Sequence, residues 1–358
     1  MTEPLKDCLD RLRAAAQAVA GTIRIMEVCG THTVAIFRHG IRSLLPANLK
    51  LISGPGCPVC VTSQGFIEAA VQLAGQQGMI MATYGDMMRV PGANGNLERA
   101  RANGARVEVV LSARDALKLA QHNPDAEVVF LAVGFETTAP ATAEVVLSAH
   151  RNQVRNFSVL AAHKRIVPAM LALLADEQVA IDAFLCPGHV SVIVGSDAYR
   201  PVVASFAKGC VVAGFEPVQI MCALAELAEM MAQRRPALDN TYKVVVTGQG
   251  NRRAQEMIEQ VFEPGPATWR GLGRIDHSGL HLKRAYRDWD AFERFGLSPG
   301  AEVEIPGCRC GDVIRGVIDP PQCPLFGAAC TPAQPVGPCM VSSEGTCQAW
   351  WKYQRVSA

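Results

Sequence analysis

The strongest constraint on this chain is a run of six cysteines between positions 308 and 347, in a segment rich in proline and glycine. Proline interrupts helices and central strands, so no long regular element is expected there. The segment also carries few large apolar side chains around which it could fold. Bonds to sulfur must therefore hold it, and thiolate ligation of a metal is the first candidate. The six residues are Cys308, Cys310, Cys323, Cys330, Cys339 and Cys347.

Six cysteines are too many for one site with four ligands, so the sequence predicts a division. In an extended segment Cys308 and Cys310 point to the same side, which lets one be a ligand and the other a free thiol beside it. Cys310 and Cys339 are then predicted to form a dithiol or disulfide pair. A four-cysteine zinc site and three structural disulfides remain alternatives, although the paired C-x-x-C of a zinc ribbon is missing. We assign the other four to a [4Fe-4S] cluster: Cys308, Cys323, Cys330 and Cys347.

The composition is that of a globular protein with two or three domains, since 49% of the 358 residues are apolar and 19% are charged. A net charge of +1 gives no electrostatic reason for binding nucleic acid or an anionic membrane. No apolar run reaches the ~20 residues that span a bilayer. Leu5, Leu9 and Leu12 recur at helical spacing, so the start is predicted to be an amphipathic helix and the protein cytoplasmic. In that compartment thirteen cysteines indicate metal ligands or redox thiols rather than stable disulfides.

The apolar pattern alternates between strands and helices, which predicts an α/β fold with two similar α/β layers that face one another, followed by the cysteine-rich segment. Proline-containing breaks place the boundaries near residues 124 and 236, giving domains 1–124, 125–236 and 237–358. The tripeptide Gly-Phe-Glu follows an apolar strand twice, at 134–136 and at 214–216. The strands are predicted at 23–28, 49–54, 79–85, 107–111, 127–136, 157–163, 181–186, 210–216 and 243–248.

Cys29 follows the first predicted strand and precedes a helical pattern. The positive end of that helix is expected to lower the pKa of the thiol and to favour thiolate. Thr31 and Thr33 are predicted N-cap residues, and His32 is a candidate nitrogen ligand or proton carrier. The alternative is a capped helix with a buried cysteine and a surface histidine.

Cys57 and Cys60 form a C-x-x-C motif between a predicted strand and a predicted helix, the placement of a thiol-redox or metal-binding pair.

The turn Gly248-Gln249-Gly250 lacks the third glycine of a dinucleotide fingerprint, because Arg253 stands there. Glu136, at a strand end, is predicted to cap a helix or to bind a small polar ligand.

Five motifs in this order resemble the HypD family of [NiFe]-hydrogenase maturation factors. They are EVCGTHT at 27–33, GPGCPVC at 54–60, GFETTAP at 134–140, CPGHVS at 186–191 and the C-terminal pattern CRCG…CPLFG..CTP..PVGPCMVSSEGTC. The motifs are long, and the resemblance covers essentially the whole chain. It implies two Rossmann-like α/β/α domains of similar architecture and a C-terminal cysteine-rich [4Fe-4S] domain.

The resemblance implies a scaffold on which the Fe(CN)2CO group of [NiFe]-hydrogenase is assembled, rather than an enzyme with a conventional turnover reaction. It implies partnership with a small HypC-type chaperone and with a HypE-type cyanide donor supplied by HypF, and an indirect link to the hydrogenase large subunit. The implied cofactor is a [4Fe-4S] cluster in surroundings similar to those of ferredoxin:thioredoxin reductase. Cys29 is the implied thiolate for the iron, with His32 beside it, and Cys57 and Cys60 are the implied redox or second iron-binding pair.

Two other functions remain open at this stage. One is a stand-alone thiol–disulfide reductase of the ferredoxin:thioredoxin reductase type, which would need no chaperone. The other is a nucleotide-binding enzyme that uses the glycine-rich strand ends.

Overall fold

The computed structural model describes residues 2–298, 302 and 305–354, in which strands and helices alternate. The strands are β1 (Ile23–Glu27), β2 (Leu49–Ser53), β3 (Met79–Thr83), β4 (Arg106–Val109), β5 (Glu127–Gly134), β6 (Phe157–His163), β7 (Ala183–Pro187), β8 (Gly209–Ala213), β9 (Leu238–Asn240), β10 (Phe262–Trp269) and β11 (Gly273–Leu282).

The helices of the first half are α1 (Glu3–Gln17), α2 (Gly30–Arg38), α3 (Pro58–Val61), α4 (Gln64–Ala74), α5 (Leu97–Ala102), α6 (Ala113–His122) and α7 (Ala139–Arg151). Those of the second half are α8 (Ile166–Leu174), α9 (Gly188–Val194), α10 (Arg200–Phe206), α11 (Pro217–Ala232), α12 (Arg252–Val261), α13 (Ala291–Arg294), α14 (Cys310–Ile314) and α15 (Thr346–Gln354). No helix in the described part of the chain is both long enough and apolar enough to cross a membrane.

Two parallel sheets form the framework, as the Rossmann-like prediction requires. Within the described residues one sheet has the order β2-β1-β7-β8-β9 and the other the order β4-β3-β5-β6, and every pair of neighbours in both is parallel. Parallel strands with helical crossovers are covered on both faces, which explains why β5 and β8 are almost continuously apolar and buried. Strands β10 and β11 form a separate antiparallel hairpin.

The sheets do not follow the order of the chain. Strands β1 and β2 come first in the chain and belong to the five-stranded sheet. Strands β3 to β6 then form the four-stranded sheet, and β7 to β9 complete the five-stranded one. Strand β1 pairs with β2 on one side and with β7 on the other, for example at Ile25 and Ala183. Strands from both sides of residue 124 therefore share the first sheet, and β9 joins it beyond residue 236. The predicted boundaries at these positions do not separate the sheets, because pairing of apolar strands decides sheet membership and chain order does not.

The predicted strand at 243–248 is wrong. Residues 242–246 form a turn in which the backbone N–H groups of Val245 and Val246 both donate to the carbonyl of Tyr242, at 3.1 and 2.9 Å. Val244 is 99% exposed, so this apolar run has no sheet partner to cover it. The edge strand β9 forms just before it instead. The hairpin of β10 and β11 was not predicted, because Pro264, Gly265 and Pro266 obscure the strand pattern.

The buried core has three parts. The largest lies between the sheets and joins side chains of both, such as Met26, Leu131 and Phe184, to cysteines of the C-terminal segment. A second packs the outer face of the four-stranded sheet against α6 and α7, and a third packs α1 and α11 on the five-stranded sheet. A disulfide between Cys8 and Cys222 joins α1 to α11. The expectation that the cysteines avoid structural disulfides is therefore wrong for this pair.

Both Gly-Phe-Glu tripeptides end in a capping glutamate. Glu216 forms a reciprocal capping box with Gln219 at the start of α11. Glu136 accepts a hydrogen bond from the backbone N–H of Ile166 at 3.0 Å, so it caps α8 rather than the helix that follows it in sequence. Burial raises the pKa of Glu136 to about 7. The repeat therefore marks two strand ends at which a carboxylate meets a helix N-terminus.

Candidate functional site

The six C-terminal cysteines line one cavity. The cavity is small, about 10 Å³, and the apolar side chains of Val313, Leu325, Phe326 and Met340 complete its wall. Turns rather than long elements bring the sulfurs together. At Gly337 a Cβ atom would approach the sulfur of Cys308 to 2.9 Å, so only glycine leaves room for the sulfur there. The sequence prediction that these cysteines form one site therefore agrees with their positions.

Cys310 and Cys339 are neighbours inside this cavity, with their sulfurs 3.1 Å apart. This is the proximity that the predicted dithiol pair requires. Hydrogen bonds from Cys308 and Cys339 hold the pKa of Cys310 well below its usual range. The same contact with Cys310 raises the pKa of Cys339 well above its usual range. The division of the six cysteines into four ligands and one pair stays a prediction.

The donor atoms in this cavity are thiols, the ligands that an iron–sulfur cluster takes. In the described residues no group of three or more His, Cys, Asp or Glu side chains has the arrangement of a site for one metal ion. A [4Fe-4S] cluster takes one thiolate on each of its irons, so its ligands surround a volume instead of a point. Six thiols around an apolar cavity match that requirement, and two of them remain available beside four ligands.

Cys29 lies at the carboxyl end of β1, where it is the N-cap residue of α2 without a capping hydrogen bond from its side chain. The prediction of a lowered pKa is wrong. Burial, reinforced by the nearby carboxylate of Glu344, raises the pKa of the Cys29 thiol to about 11, and contacts with Thr31 and His32 offset only part of this. Thr31 and Thr33 do not occupy the N-cap position that the sequence suggested for them.

The C-x-x-C motif lies directly against the Cys29 loop. The backbone N–H of Gly30 donates to the carbonyl of Gly56 at 3.1 Å. Cys57 is the N-cap of α3, its sulfur accepts from the backbone N–H of Cys60 at 3.2 Å, and the two cysteines are joined as a disulfide. A Cβ atom at Gly56 would collide with the backbone of Cys29, so this glycine permits the close approach of the two loops.

The C-x-x-C motif also meets the C-terminal segment. The sulfur of Cys60 lies 3.9 Å from the carbonyl oxygen of Pro338, the residue before Cys339. The pair Cys57/Cys60 and the pair Cys310/Cys339 therefore pack against each other through one short turn. The structure thus brings together three motifs that are separated by up to about 300 positions in sequence.

His32 is fully buried, contrary to the alternative in which it is a surface residue. Its Nε2 lies 2.9 Å from the carbonyl oxygen of Gly214, and its ring packs on Phe215 with centroids 4.6 Å apart. Burial lowers the pKa of His32 to about 4, so the ring is neutral near pH 7. With Nε2 donating to Gly214, Nδ1 is an acceptor, and it has no hydrogen-bond partner among the described residues.

Sequence reasoning missed two residues of this site. Glu344 accepts a hydrogen bond from the hydroxyl of Thr31 at 2.7 Å and so connects the Cys29 helix to the C-terminal segment. The sequence feature that could have identified Glu344 was its position between two cysteines of the C-terminal segment, Cys339 and Cys347. Arg270 is 6% exposed and donates to the carbonyls of Val61 and Thr62 at 2.9 and 3.0 Å, which fixes the end of α3. Nothing in the local sequence indicated that role.

The comparisons with known proteins identify the family of the chain. The model named HypD, described as the Hydrogenase formation hypA family, matches residues 3–354. The chain is 44% identical over 358 residues to the hydrogenase maturation factor HypD of Escherichia coli K12, an alignment that covers 99% of this chain and 96% of the relative. It is 45% identical over 339 residues to HypD of Azotobacter vinelandii, covering 93% and 89% of the two chains. It is 44% identical over 338 residues to HypD of Cupriavidus necator, covering 92% and 89%.

Proposed function

Because this chain belongs to the HypD family, whose curated members are hydrogenase maturation factors, we propose that it is the scaffold on which the Fe(CN)2CO group of [NiFe]-hydrogenase is assembled. That this protein acts in hydrogenase maturation follows from its family, whereas the roles given below to individual residues are proposed. The observation that carries it is the convergence of the Cys29 loop, the C-x-x-C motif and the six-cysteine cavity on one another.

Cys29 is the proposed ligand of the iron under assembly. Iron that carries CO and cyanide suits a soft thiolate ligand. The raised pKa of Cys29 keeps this buried thiol protonated in the absence of iron, and binding of the metal displaces the proton. The neutral ring of His32, three residues on, leaves Nδ1 free as a buried hydrogen-bond acceptor among the described residues.

The C-terminal cavity is the proposed site of the resident cofactor. Cys308, Cys323, Cys330 and Cys347 would hold a [4Fe-4S] cluster, which supplies single electrons when bound. Cys310 and Cys339 lie beside it as a close thiol pair, and the turn at Pro338 places that pair against Cys60. We base thiol–disulfide exchange between the two pairs on this adjacency, since the sulfur of Cys60 lies 3.9 Å from the carbonyl oxygen of the residue that precedes Cys339.

The proposed partners would supply the second iron ligand and the cyanide that the site itself does not provide. An iron held by one thiolate keeps open coordination positions, and a small HypC-type chaperone is the proposed source of a second ligand. A HypE-type protein is the proposed donor of cyanide. We place this assembly in the cytoplasm, where thiols are kept reduced.

The test is the substitution Cys29→Ala in protein isolated without air from cells that express the other maturation proteins. We expect a folded protein that keeps the absorption of its iron–sulfur cluster and loses the infrared bands of iron-bound CN and CO. Cys210→Ala, which removes a buried thiol from β8, is the matched control and should keep those bands. Bands of normal intensity in Cys29→Ala would refute the assignment.

The alternative function, a stand-alone thiol–disulfide reductase, finds no support in the curated relatives, which are hydrogenase maturation or formation proteins. The number of disulfides reduced per protein molecule distinguishes the two functions. A reductase would reduce a generic protein disulfide many times without a chaperone, whereas the scaffold should give at most a single equivalent per disulfide pair.

A further inference from the structure

A second cleft lies where β6 ends, between that strand, the hairpin β10–β11 and α13. It encloses about 1110 Å³, including the space at its open mouth, and none of the described residues that line it is a cysteine. In parallel α/β sheets ligands bind beyond the carboxyl ends of the strands, and this cleft has that position relative to β6. The roles proposed above for the cysteine motifs make no use of it.

Lys164 is the unusual residue of this cleft. It lines the cleft although it is only 4% exposed, and its Nζ donates to the carbonyl oxygen of Thr268 at 2.8 Å. The ammonium also lies 5.3 Å from the centre of the Trp269 ring. Lysine is rarely buried without a charged partner, since removal of an ammonium from water is costly. Burial lowers the pKa of Lys164 to about 8, although the carboxylate of Glu302 opposes that shift.

The Lys164 ammonium has more N–H donors than the hydrogen bonds that it makes with the described residues. Lysine has three N–H groups, and among the described residues Thr268 supplies the hydrogen-bond acceptor that lies within reach of Nζ. The carboxylates near Lys164 have other partners: Glu302 accepts a hydrogen bond from the backbone N–H of Gln64 at 3.0 Å and lies 3.9 Å from Arg270 Nε. Asp290 accepts a hydrogen bond from the backbone N–H of Phe292 at 2.9 Å and so caps α13, while Glu293 is exposed. A ligand that brings its own negative group would therefore satisfy Lys164.

The rest of the lining is mixed: Ser63, His163, Arg274 and His281 are polar, and one wall is apolar and partly aromatic. The rings of Phe66 and Phe292 lie 6.4 Å apart, and Leu280 and Leu297 add aliphatic surface. Such a wall favours a flat apolar body over a small inorganic ion.

We propose that this cleft is a binding site for a small organic anion, in which the carboxylate or phosphate group pairs with Lys164 Nζ and the ligand's apolar body packs against the wall formed by Phe66 and Phe292. Lysine serves as a point charge for either acid group, so the acid chemistry is shared by both ligand types. The site is independent of Cys29 and of the C-terminal cysteines.

Calorimetric titration of the full-length protein with benzoate and with phenyl phosphate tests the site and distinguishes the two acid groups. We expect one-to-one binding of at least one probe with a dissociation constant below about 1 mM. Lys164→Met should weaken it by about tenfold or more, the effect of losing a hydrogen bond to a charged group. Lys243→Met removes an exposed lysine elsewhere and should change it by less than about twofold, because exposed charges contribute little.

Ala162→Phe, which fills the cleft and leaves Lys164 in place, provides a second variant in case Lys164→Met does not fold. It should also abolish binding. Failure of the wild-type protein to bind either probe, or equal binding by wild type and a folded Lys164→Met or Ala162→Phe variant, would overturn the proposal. The infrared bands of the iron group should be the same in all of these variants, so this result is independent of the proposed scaffold function.

Discussion

The parallel sheets and the C-terminal cysteine segment are built in different ways. Strand β5 runs for eight residues, pairs with a strand on each side and is buried over almost its whole length. Between residues 308 and 345 the longest regular element is the five-residue helix α14, and the segment converges on its sulfurs. Apolar burial therefore stabilises the sheets, whereas the segment depends on what its cysteines bind. Contacts such as Thr31–Glu344 connect the two regions.

The largest effect should come from removing a proposed cluster ligand. We expect Cys323→Ser to lower the iron content from about four per chain toward zero, because an alcohol cannot replace the thiolate as a strong ligand. Amide protons of residues 305–345 should then exchange rapidly while those of β5 and β8 stay protected. Iron analysis and hydrogen exchange by mass spectrometry measure both effects. Cys210→Ala is the control, and an unchanged iron content in Cys323→Ser would contradict the ligand assignment.

The next largest effect should come from a substitution in the core of the sheets, which leaves a cavity there and does not touch the cysteine segment. Phe130 is fully buried in β5, with its ring against Tyr84 at a centroid distance of 5.5 Å. We expect Phe130→Ala to lower the free energy of unfolding by about 3–5 kcal/mol in urea denaturation. The iron content per folded chain should not change, since this position lies outside the cysteine cavity. Loss of iron in proportion to loss of stability would mean that the two regions are not separately stabilised.

A smaller effect is expected from the buried carboxyl of Glu136. Its pKa of about 7 in the folded state lies above its ordinary value of 4.5, because burial disfavours the charged form. As the pH rises from 4.5 to 7, the unfolded chain releases this proton first, so stability falls, by at most about 3 kcal/mol. Glu136→Gln keeps the oxygen that accepts from Ile166 and should remove this pH dependence. Urea denaturation across the pH range checks it, with the exposed Glu256→Gln as control.

The smallest effect concerns the connection between the two regions. Thr31→Val removes the hydroxyl that donates to Glu344 and should cost about 1–2 kcal/mol, as expected for a partly buried hydrogen bond to a charged group. Thr31→Ser retains the hydroxyl and should behave as the wild-type protein. Hydrogen exchange should show increased opening of α2 and α15 in Thr31→Val, and equal protection in both variants would show that this hydrogen bond does not couple them.

Much of the fold could be predicted from local pattern. Apolar strands such as IRIME and FSVLAAH, each followed by a helical pattern, identified most elements of both sheets. The run at 243–248 was misassigned because three consecutive valines resemble a buried strand, whereas in the folded chain they form a turn in which Val244 and Val245 are exposed and Val246 is buried. The order of strands within each sheet depends on pairing between distant segments and could not be read from periodicity.

The candidate site was predicted unevenly for a similar reason. The cysteine motifs were visible because their residue types and spacings are unusual, and their resemblance to the HypD family connected them to a function. The electrostatic state of Cys29 was not predictable, since the helix position favours a low pKa while burial beside Glu344 gives a high one. Arg270 has an ordinary sequence context, and its role depends on the carbonyls of Val61 and Thr62 across the fold.

The sequence by itself determined that this is an α/β chain with a sulfur-rich segment unable to form a conventional core, because strand periodicity and the clustering of cysteine and proline are local properties. The tertiary structure decided that Cys29, Cys57, Cys60 and the C-terminal cavity adjoin one another, and that Lys164 is buried beside an open cleft. Contact and burial depend on which distant segments pack together, and therefore only the folded chain defines them.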